Sequence, residues 1–477
     1  MDYLVQGTGS QAIAARRAPL SQILPVVCDC APSRKERIDS GREHAGPWAA
    51  RVVNRLESRT EPPHAGEAQS VDDRFPAKTG RAFEPRPRLR LRQEPMDPYG
   101  YTESQLQIQR TVREFARREI APGAEERDRT SRFDYELYRR LGALGLTGMP
   151  FGEEFGGSDA GTLSFCLALE EISRVDMSLG MTLWVGIQGA QSMAHGSGEQ
   201  LAAWRDAYIL PTVRGELVSA GGITEPDAGS DTAALKTRAV LDGDEWVIDG
   251  AKIFISNAGL DICAIVMVLC RTDEGFGIVI VPSGTPGYTV GPPLRKMGLR
   301  SSDTRELFFD GCRVPRMNLL GGRGSGRQAI VGGGFHITRL YLASQAVGLA
   351  SECLDLSLAH AKDRVAFKRP IARFQYVQGM LVDMALEVQM ARLLRDQACR
   401  LQEARLPYAK EAAMAKLFCA EMAKRAADSA VQIFGGLGFM DETPVSRYYR
   451  DIRASTIAEG TSEIQKHIIA RELGCFE

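Results

Sequence analysis

The spacing of apolar residues changes twice along the chain. From Thr102 they recur at close to the 3.6-residue period of a helix, at Ile108, Val112, Phe115 and Ile120, with Thr102 or Ser104 as cap and Pro122 as stop. Further helices are predicted over 135–144, 163–174 and about 201–209. After Glu216 the texture becomes that of strands. Segments 217–223, 235–241, 245–248, 262–270, 277–281 and 305–309 alternate or run apolar, with turns predicted at DGDE, DGAK and SGTPG. Glycines dominate 321–334, and a helical pattern then returns to the C-terminus, broken near Pro370, Pro407, 435–438 and Pro444. The predicted fold is multidomain, α then β then α: a helical N-terminal domain over 96–216, a central antiparallel β domain over 217–320 and a helical region over 321–477. No internal repeat is visible.

Residues 1–95 stand apart. They hold 10 of the 23 prolines and 16 Lys/Arg against 12 Asp/Glu, with little apolar periodicity, so a poorly ordered extension is expected. Its first 28 residues carry one acid, Asp2, beside the Arg16-Arg17 pair, which raises a targeting peptide; Gln22 and Pro25 interrupt its apolar stretch. The other reading is a native start at Met96, which opens directly into a capped helix. GTGSQA at 7–12, with Asp29 beyond it, has the form of a dinucleotide fingerprint, but Pro19 and Pro25 interrupt the helix it needs and no further βαβ unit follows.

Composition narrows the possibilities. The 59 Lys/Arg balance 60 Asp/Glu to a net charge of -1, which gives no general nucleic-acid or anionic-membrane binder. The longest strongly apolar run, 262–270, is half of the roughly 18 residues a membrane helix needs. Ten cysteines in 477 residues, mostly single and in apolar surroundings, suit a reducing compartment such as the cytoplasm, with the mitochondrial matrix as the alternative if 1–95 include a transit peptide. Six scattered histidines and the isolated Cys28-Asp29-Cys30 offer no metal site.

Two β motifs suggest a ligand site. ITEPDAGSD at 223–231 places hydroxyls and backbone amides between two strands, with Gly229 allowing close approach. KIFISNAG at 252–259 offers Phe254 and Ser256 at i and i+2 on one strand face, one to stack and one to hydrogen-bond. Near the C-terminus, Glu459-Gly460-Thr461-Ser462 sets a carboxylate on a glycine loop before a helix that Thr461 or Ser462 can cap. Locally, Glu459 reads equally as an aimed acid or as an exposed loop acid.

Assembled, these motifs resemble the acyl-CoA dehydrogenase family. GMPFGEEFGG, TEPDAGSDTAALKT, KIFISNAG, KMGLRSSDT, RVAFKRPIARFQ, VQIFGGLGF and IAEGTSEIQ carry the resemblance over nearly all of 99–477. It implies helical N-terminal, central β and C-terminal four-helix-bundle domains, with FAD between the β domain and the bundle and beside a neighbouring subunit. It also implies a homotetramer (or dimer) that converts an acyl-CoA to the trans-2-enoyl-CoA and passes electrons to electron-transfer flavoprotein. Glu459 matches the general base, and burial beside flavin and acyl chain should raise its pKa. The resemblance implies that its backbone N–H, with a ribityl hydroxyl of FAD, stabilises the enolate. Some branches put the base on an earlier helix; that position here is Thr338, which is no acid. Ile223, Thr224, Gly229, Ser230, Phe254 and Ser256 match the flavin-holding loop and strand, where the family commonly has Trp and Thr at the last two. Arg364, Phe367, Gln375, Gln432 and Gly436 match contacts to a neighbour's FAD, with Thr461 and Glu463 at the bundle end. Ser230, Arg339 and Gly460 match substrate contacts. Lys368 stands where a glycine is usual and Ala366 where a hydroxyl is frequent, while GGRGSG at 321–326 replaces an acidic linker. A same-fold oxidase or monooxygenase and a non-catalytic assembly subunit are the competing functions; the monooxygenases have no use for the EGTS glutamate.

Overall fold

A computed structural model of the protein describes residue 97, residues 99–321 and residues 334–476. The predicted extension with its GTGSQA and Cys28-Asp29-Cys30 segments, Met96, and residues 322–326 of the glycine linker lie outside the described residues.

Helix α1 (Glu103–Phe115) starts in a capping box: Gln105 N donates to the Thr102 hydroxyl at 3.2 Å, and Thr102 N donates to the Gln105 side chain at 3.0 Å. Pro122 does not stop the helical path as predicted. The chain widens into a π turn over Ala116–Ile120 and tightens over Ala121–Gly123, where the missing proline N–H is harmless, then resumes as helix over Ala124–Thr130. Asp134 caps α2 (Tyr135–Ala143) through Leu137 N at 2.9 Å. The pair α3 (Thr162–Ser173) and α4 (Met177–Met193) forms the core of this layer. The sequence reading missed α4 because it is apolar nearly all round and so shows no amphipathic period. Next, α5 (Gly198–Trp204) continues into a π turn over Arg205–Ile209.

The middle sheet has eight strands: β1 (Val218–Gly222), β2 (Arg238–Asp242), β3 (Glu245–Ser256), β4 (Cys263–Thr272), β5 (Gly275–Pro282), β6 (Tyr288–Val290), β7 (Thr304–Pro315) and β8 (Leu319–Leu320). Their order is β6-β7-β3-β2-β4-β5-β8, with β1 also paired to β4. Two predictions need correction. The sheet is not purely antiparallel, because β1 runs parallel to β4, the antiparallel β2–β3 pair serving as the crossover a parallel neighbour requires. DGAK is not a turn: β3 runs through it, bulging against β7 near Gly250, whose φ of 146° and close approach to Thr237 leave no room for a side chain.

The C-terminal helices are α6 (Phe335–Asp363), α7 (Gln375–Glu403), α8 (Ala409–Phe434), α9 (Pro444–Ile452) and α10 (Ser462–Glu472). Helix α6 is buried without a break from Thr338 to Cys353 and packs on α8, α7 and α3. At Gly348 the backbones of α6 and α3 close up so far that a Cβ would sit 2.1 Å from Glu170 O. Alanines 412, 415, 420, 423 and 427 on the buried face of α8 permit similarly close packing. The KMGLRSSDT loop docks on α9: Leu299 N donates to Asp451 Oδ1 at 2.6 Å, and Arg450 reaches Met297 O at 3.3 Å and Asp128 at 2.6 Å. All three layers therefore meet at α9. Helix α7 buries Leu381, Met384 and Val388 but leaves Val382, Leu386, Met390 and Leu393 exposed on another face.

Candidate active site

The two β motifs, separate in sequence, lie side by side. Ile253 N donates to Thr224 O at 2.9 Å, and Lys252 Nζ donates to Ile223 O at 3.1 Å. Lys252 is fully buried and also donates to Leu269 O at 2.7 Å and Glu225 Oε1 at 2.8 Å. Burial lowers its pKa against the pull of Glu225. Burial raises Glu225 in turn, but bonds from Lys252 and the 236–237 segment, including the amides of Lys236 and Thr237, hold its carboxyl below the usual range. The ion pair therefore pins the start of the 223–231 loop to β3.

Phe254 follows at once, with φ 62° in a second bulge of β3 and 65% of its surface exposed. Regular alternation is thus broken there, yet Phe254 and half-buried Ser256 still face away from buried Ile255. The hydroxyls of Thr224, Ser230 and Ser256 have no protein partner among the described residues, and the space beside Gly229 is open.

A second group forms where α6, α8 and α10 converge. Glu459 and Gly460 adopt φ of 56° and 88°, and Thr461 caps α10 by accepting from Ile464 N at 3.3 Å. The half-buried Glu459 side chain turns back to α6, where Thr338 Oγ1 donates to its Oε2. Burial raises the Glu459 carboxyl, while Thr338, Arg339 and Lys416 act to lower it; the net effect is upward. Arg339 is buried, with Nε and Nη1 unpartnered among the described residues and its guanidinium 5.9 Å from the Phe335 ring centroid; burial lowers its pKa. Lys416 Nζ donates to Gly460 O at 2.6 Å, and burial lowers it to about 8. Gln465, also buried, donates to both Glu459 O and Gly460 O at 2.9 Å. Exposed Glu463 is kept below the usual carboxylate range by its own backbone N–H and Thr461.

A third group lies on an exposed edge. Strands β9 (Val365–Ala366) and β10 (Arg369–Pro370) make a hairpin after α6, whose two-residue turn puts Phe367 and Lys368 at φ 49° and 65°. Phe367 is 89% exposed, and Arg364 and Gln375 are exposed on either side. His360 at the end of α6 stacks on Phe434 at 4.2 Å, which brings the hairpin next to exposed Gln432 and Gly436 at the end of α8. Among the described residues, these five make no hydrogen bond or ion pair to the Glu459 group.

Three family profiles cover this arrangement in order: acyl-CoA dehydrogenase N-terminal domain over residues 102–213, middle domain over 220–312 and C-terminal domain over 324–474. The chain belongs to the acyl-CoA dehydrogenase family. A probable acyl-CoA dehydrogenase of Bacillus subtilis is 41% identical over 381 residues, 78% of this chain and 98% of that protein. A short-chain specific acyl-CoA dehydrogenase of Clostridium acetobutylicum is 38% identical over 384 residues, 79% of this chain and 99% of its own. A solved chain from work on the electron transferring flavoprotein of Acidaminococcus fermentans superposes with a TM-score of 0.75 at 37% identity, covering 78% of this chain and 98% of that one. Like its family, this protein is an FAD-dependent oxidoreductase of fatty-acid metabolism; homotetramers are typical of acyl-CoA dehydrogenases. The residues fit FAD: an exposed aromatic ring, hydroxyls at Thr224 and Ser256 without a partner among the described residues, and open space at Gly229, Gly435 and Gly436 suit a flat ring and its phosphates.

Sequence reasoning set Thr338 aside as a non-acid and did not consider Lys416 or Gln465. Lys416 carried a signal: in AAMAKLFCA it occupies a helix face otherwise made of alanine and cysteine.

Proposed function

We propose that Glu459 removes the α-proton of an acyl-CoA thioester in its conversion to the trans-2-enoyl-CoA. The observation that carries this reading is a half-buried carboxylate on a glycine loop, raised by burial yet hydrogen-bonded to Thr338 beside two buried cations. A raised carboxyl is a stronger base once ionised, as abstraction of a weakly acidic C–H requires. The Glu459 N–H, which has no protein acceptor among the described residues, donates to the thioester carbonyl as its oxygen gains charge. Bound FAD supplies the acceptor for the β-hydride. Ile223, Thr224, Gly229, Ser230, Phe254 and Ser256 hold the flavin, with Phe254 stacking and Ser256 donating; Ser230, Arg339 and Gly460 contact substrate.

Arg364, Phe367, Gln375, Gln432 and Gly436 serve a neighbouring subunit's FAD in a homotetramer, which accounts for their exposure. The exposed Val382, Leu386, Met390 and Leu393 face of α7 supplies an apolar surface for that assembly. Thr461 and Glu463 complete the bundle end of the flavin site. Electron-transfer flavoprotein is the partner and the cytoplasm the location, in keeping with seven buried free cysteines among the described residues. No described helix is long and apolar enough to cross a membrane.

Anaerobic mixing of the yellow holoprotein with a panel of acyl-CoA thioesters tests this, with short unbranched chains first because of the short-chain specific relative. Flavin bleaching with stoichiometric trans-2-enoyl-CoA is expected. No bleaching with any thioester, or rapid peroxide formation in air without a carrier, would contradict it.

A further inference from the structure

We propose that Lys416 is a positioning residue for the base: by holding the Gly460 carbonyl, its ammonium fixes the 460–461 peptide, and with it the turn that aims the Glu459 side chain and N–H. This rests on Glu459 being the base.

A glutamate at φ 56° is in the left-handed region that side chains other than glycine's disfavour, so the 459–460 turn needs restraint. Both of its carbonyls are held by buried side-chain donors. Gln465 of α10 holds Glu459 O and Gly460 O, and Lys416 of α8 holds Gly460 O from a second helix. At φ 88° residue 460 favours glycine, and a Cβ there would also lie 2.7 Å from Gln465 Nε2 and displace that amide. With both carbonyls held, the Glu459 carboxylate lies against Thr338 on α6, and its N–H keeps no protein acceptor among the described residues.

Stability alone does not account for a lysine at this place. Its side chain has zero exposure and makes one hydrogen bond among the described residues. Methionine would fill the same space without the desolvation that pulls the ammonium down to about 8. The charged groups facing Lys416 are Glu459, Arg339, Glu421 and Glu463; Arg339 in turn faces Glu459, Arg471 and Tyr408. Lys416 therefore acts on Glu459 in two separable ways, through the hydrogen bond to its loop and through its charge.

Two variants separate them. Lys416→Met removes bond and charge, whereas Lys416→Gln retains a donor and loses only the charge. The probe is a 3-thiaacyl-CoA, whose α-proton exchanges with D2O although no β-hydride can leave. Exchange is followed against pH for wild type, both variants and Glu459→Gln, with melting temperature and FAD content as structural controls. A displaced base predicts roughly a hundredfold slower exchange in Lys416→Met. Substantial recovery is expected in Lys416→Gln, with the acidic limb shifted to higher pH in both. Lys416→Met exchanging within twofold of wild type on an unshifted profile would overturn the proposal and leave Glu459 as base. So would Lys416→Gln exchanging no faster than Lys416→Met. If Lys416→Met fails to fold, Lys416→Leu, which likewise removes the donor, takes its place with the same supporting and overturning results. Wild-type exchange in Glu459→Gln would overturn both this proposal and the assignment of the base.

Discussion

Glu459 is under opposed influences, burial pushing its carboxyl up and Thr338, Arg339 and Lys416 pulling it down. Thr338→Val removes one downward influence, so a larger fraction of the base is protonated at any given pH. The acidic limb of flavin reduction against pH should move upward, with little change in the high-pH plateau; an unmoved limb would show that the Thr338 contact is not made in solution. Linkage gives a second test. Because the folded-state value lies above the ordinary 4.5, stability falls as pH rises from 4.5 through the raised value, and the full cost remains above it. Glu459→Gln should therefore melt above wild type at neutral pH and converge with it near pH 4. At this scale the sequence made Glu459 legible through the EGTS signature. Its neighbours were hidden because contacts spanning 121 residues to Thr338 arise only when three helices converge.

Strong, simple periods at the level of elements were readable: capped α1, α2 and the runs that became β4, β5 and β7. Helix α4 was not, being buried on too many sides to show a stripe, and β6 and β8 are too short to set a pattern. The DGAK bend failed because glycine in a strand marks a bulge as readily as a turn. The β9–β10 hairpin shows a departure with a measurable cost. Its turn requires φ > 0 at two successive positions, a geometry that favours Asn-Gly, yet Phe367 and Lys368 occupy it. Lys368→Gly should stabilise the protein by up to about 1 kcal/mol in urea unfolding, since glycine adopts φ 65° without a Cβ penalty. A loss of stability would mean that the lysine side chain contributes more than its backbone costs.

For the whole molecule, the α-β-α order was visible in the sequence, but the parallel β1–β4 pair was not, because period-two patterns do not report strand direction. The proposed assembly can be tested at the exposed apolar face of α7. Val382→Glu combined with Leu386→Glu would place charges on the apolar face of α7 and should dissociate the assembly in light scattering. FAD content should fall in parallel, since Arg364, Phe367 and Gln375 then have no neighbour to serve. A variant that keeps both its mass and its flavin would show that this face takes no part in assembly.

One carboxylate starting the chemistry is the claim on which the rest depends. Stopped-flow mixing of FAD-loaded wild type and Glu459→Gln with butyryl-CoA, without oxygen, reads it directly as the rate of flavin bleaching. Loss of a general base predicts rapid bleaching in wild type and a slowing of roughly 10²–10⁴-fold or more in the variant, with FAD still bound. Equal rates in the two proteins would contradict that claim.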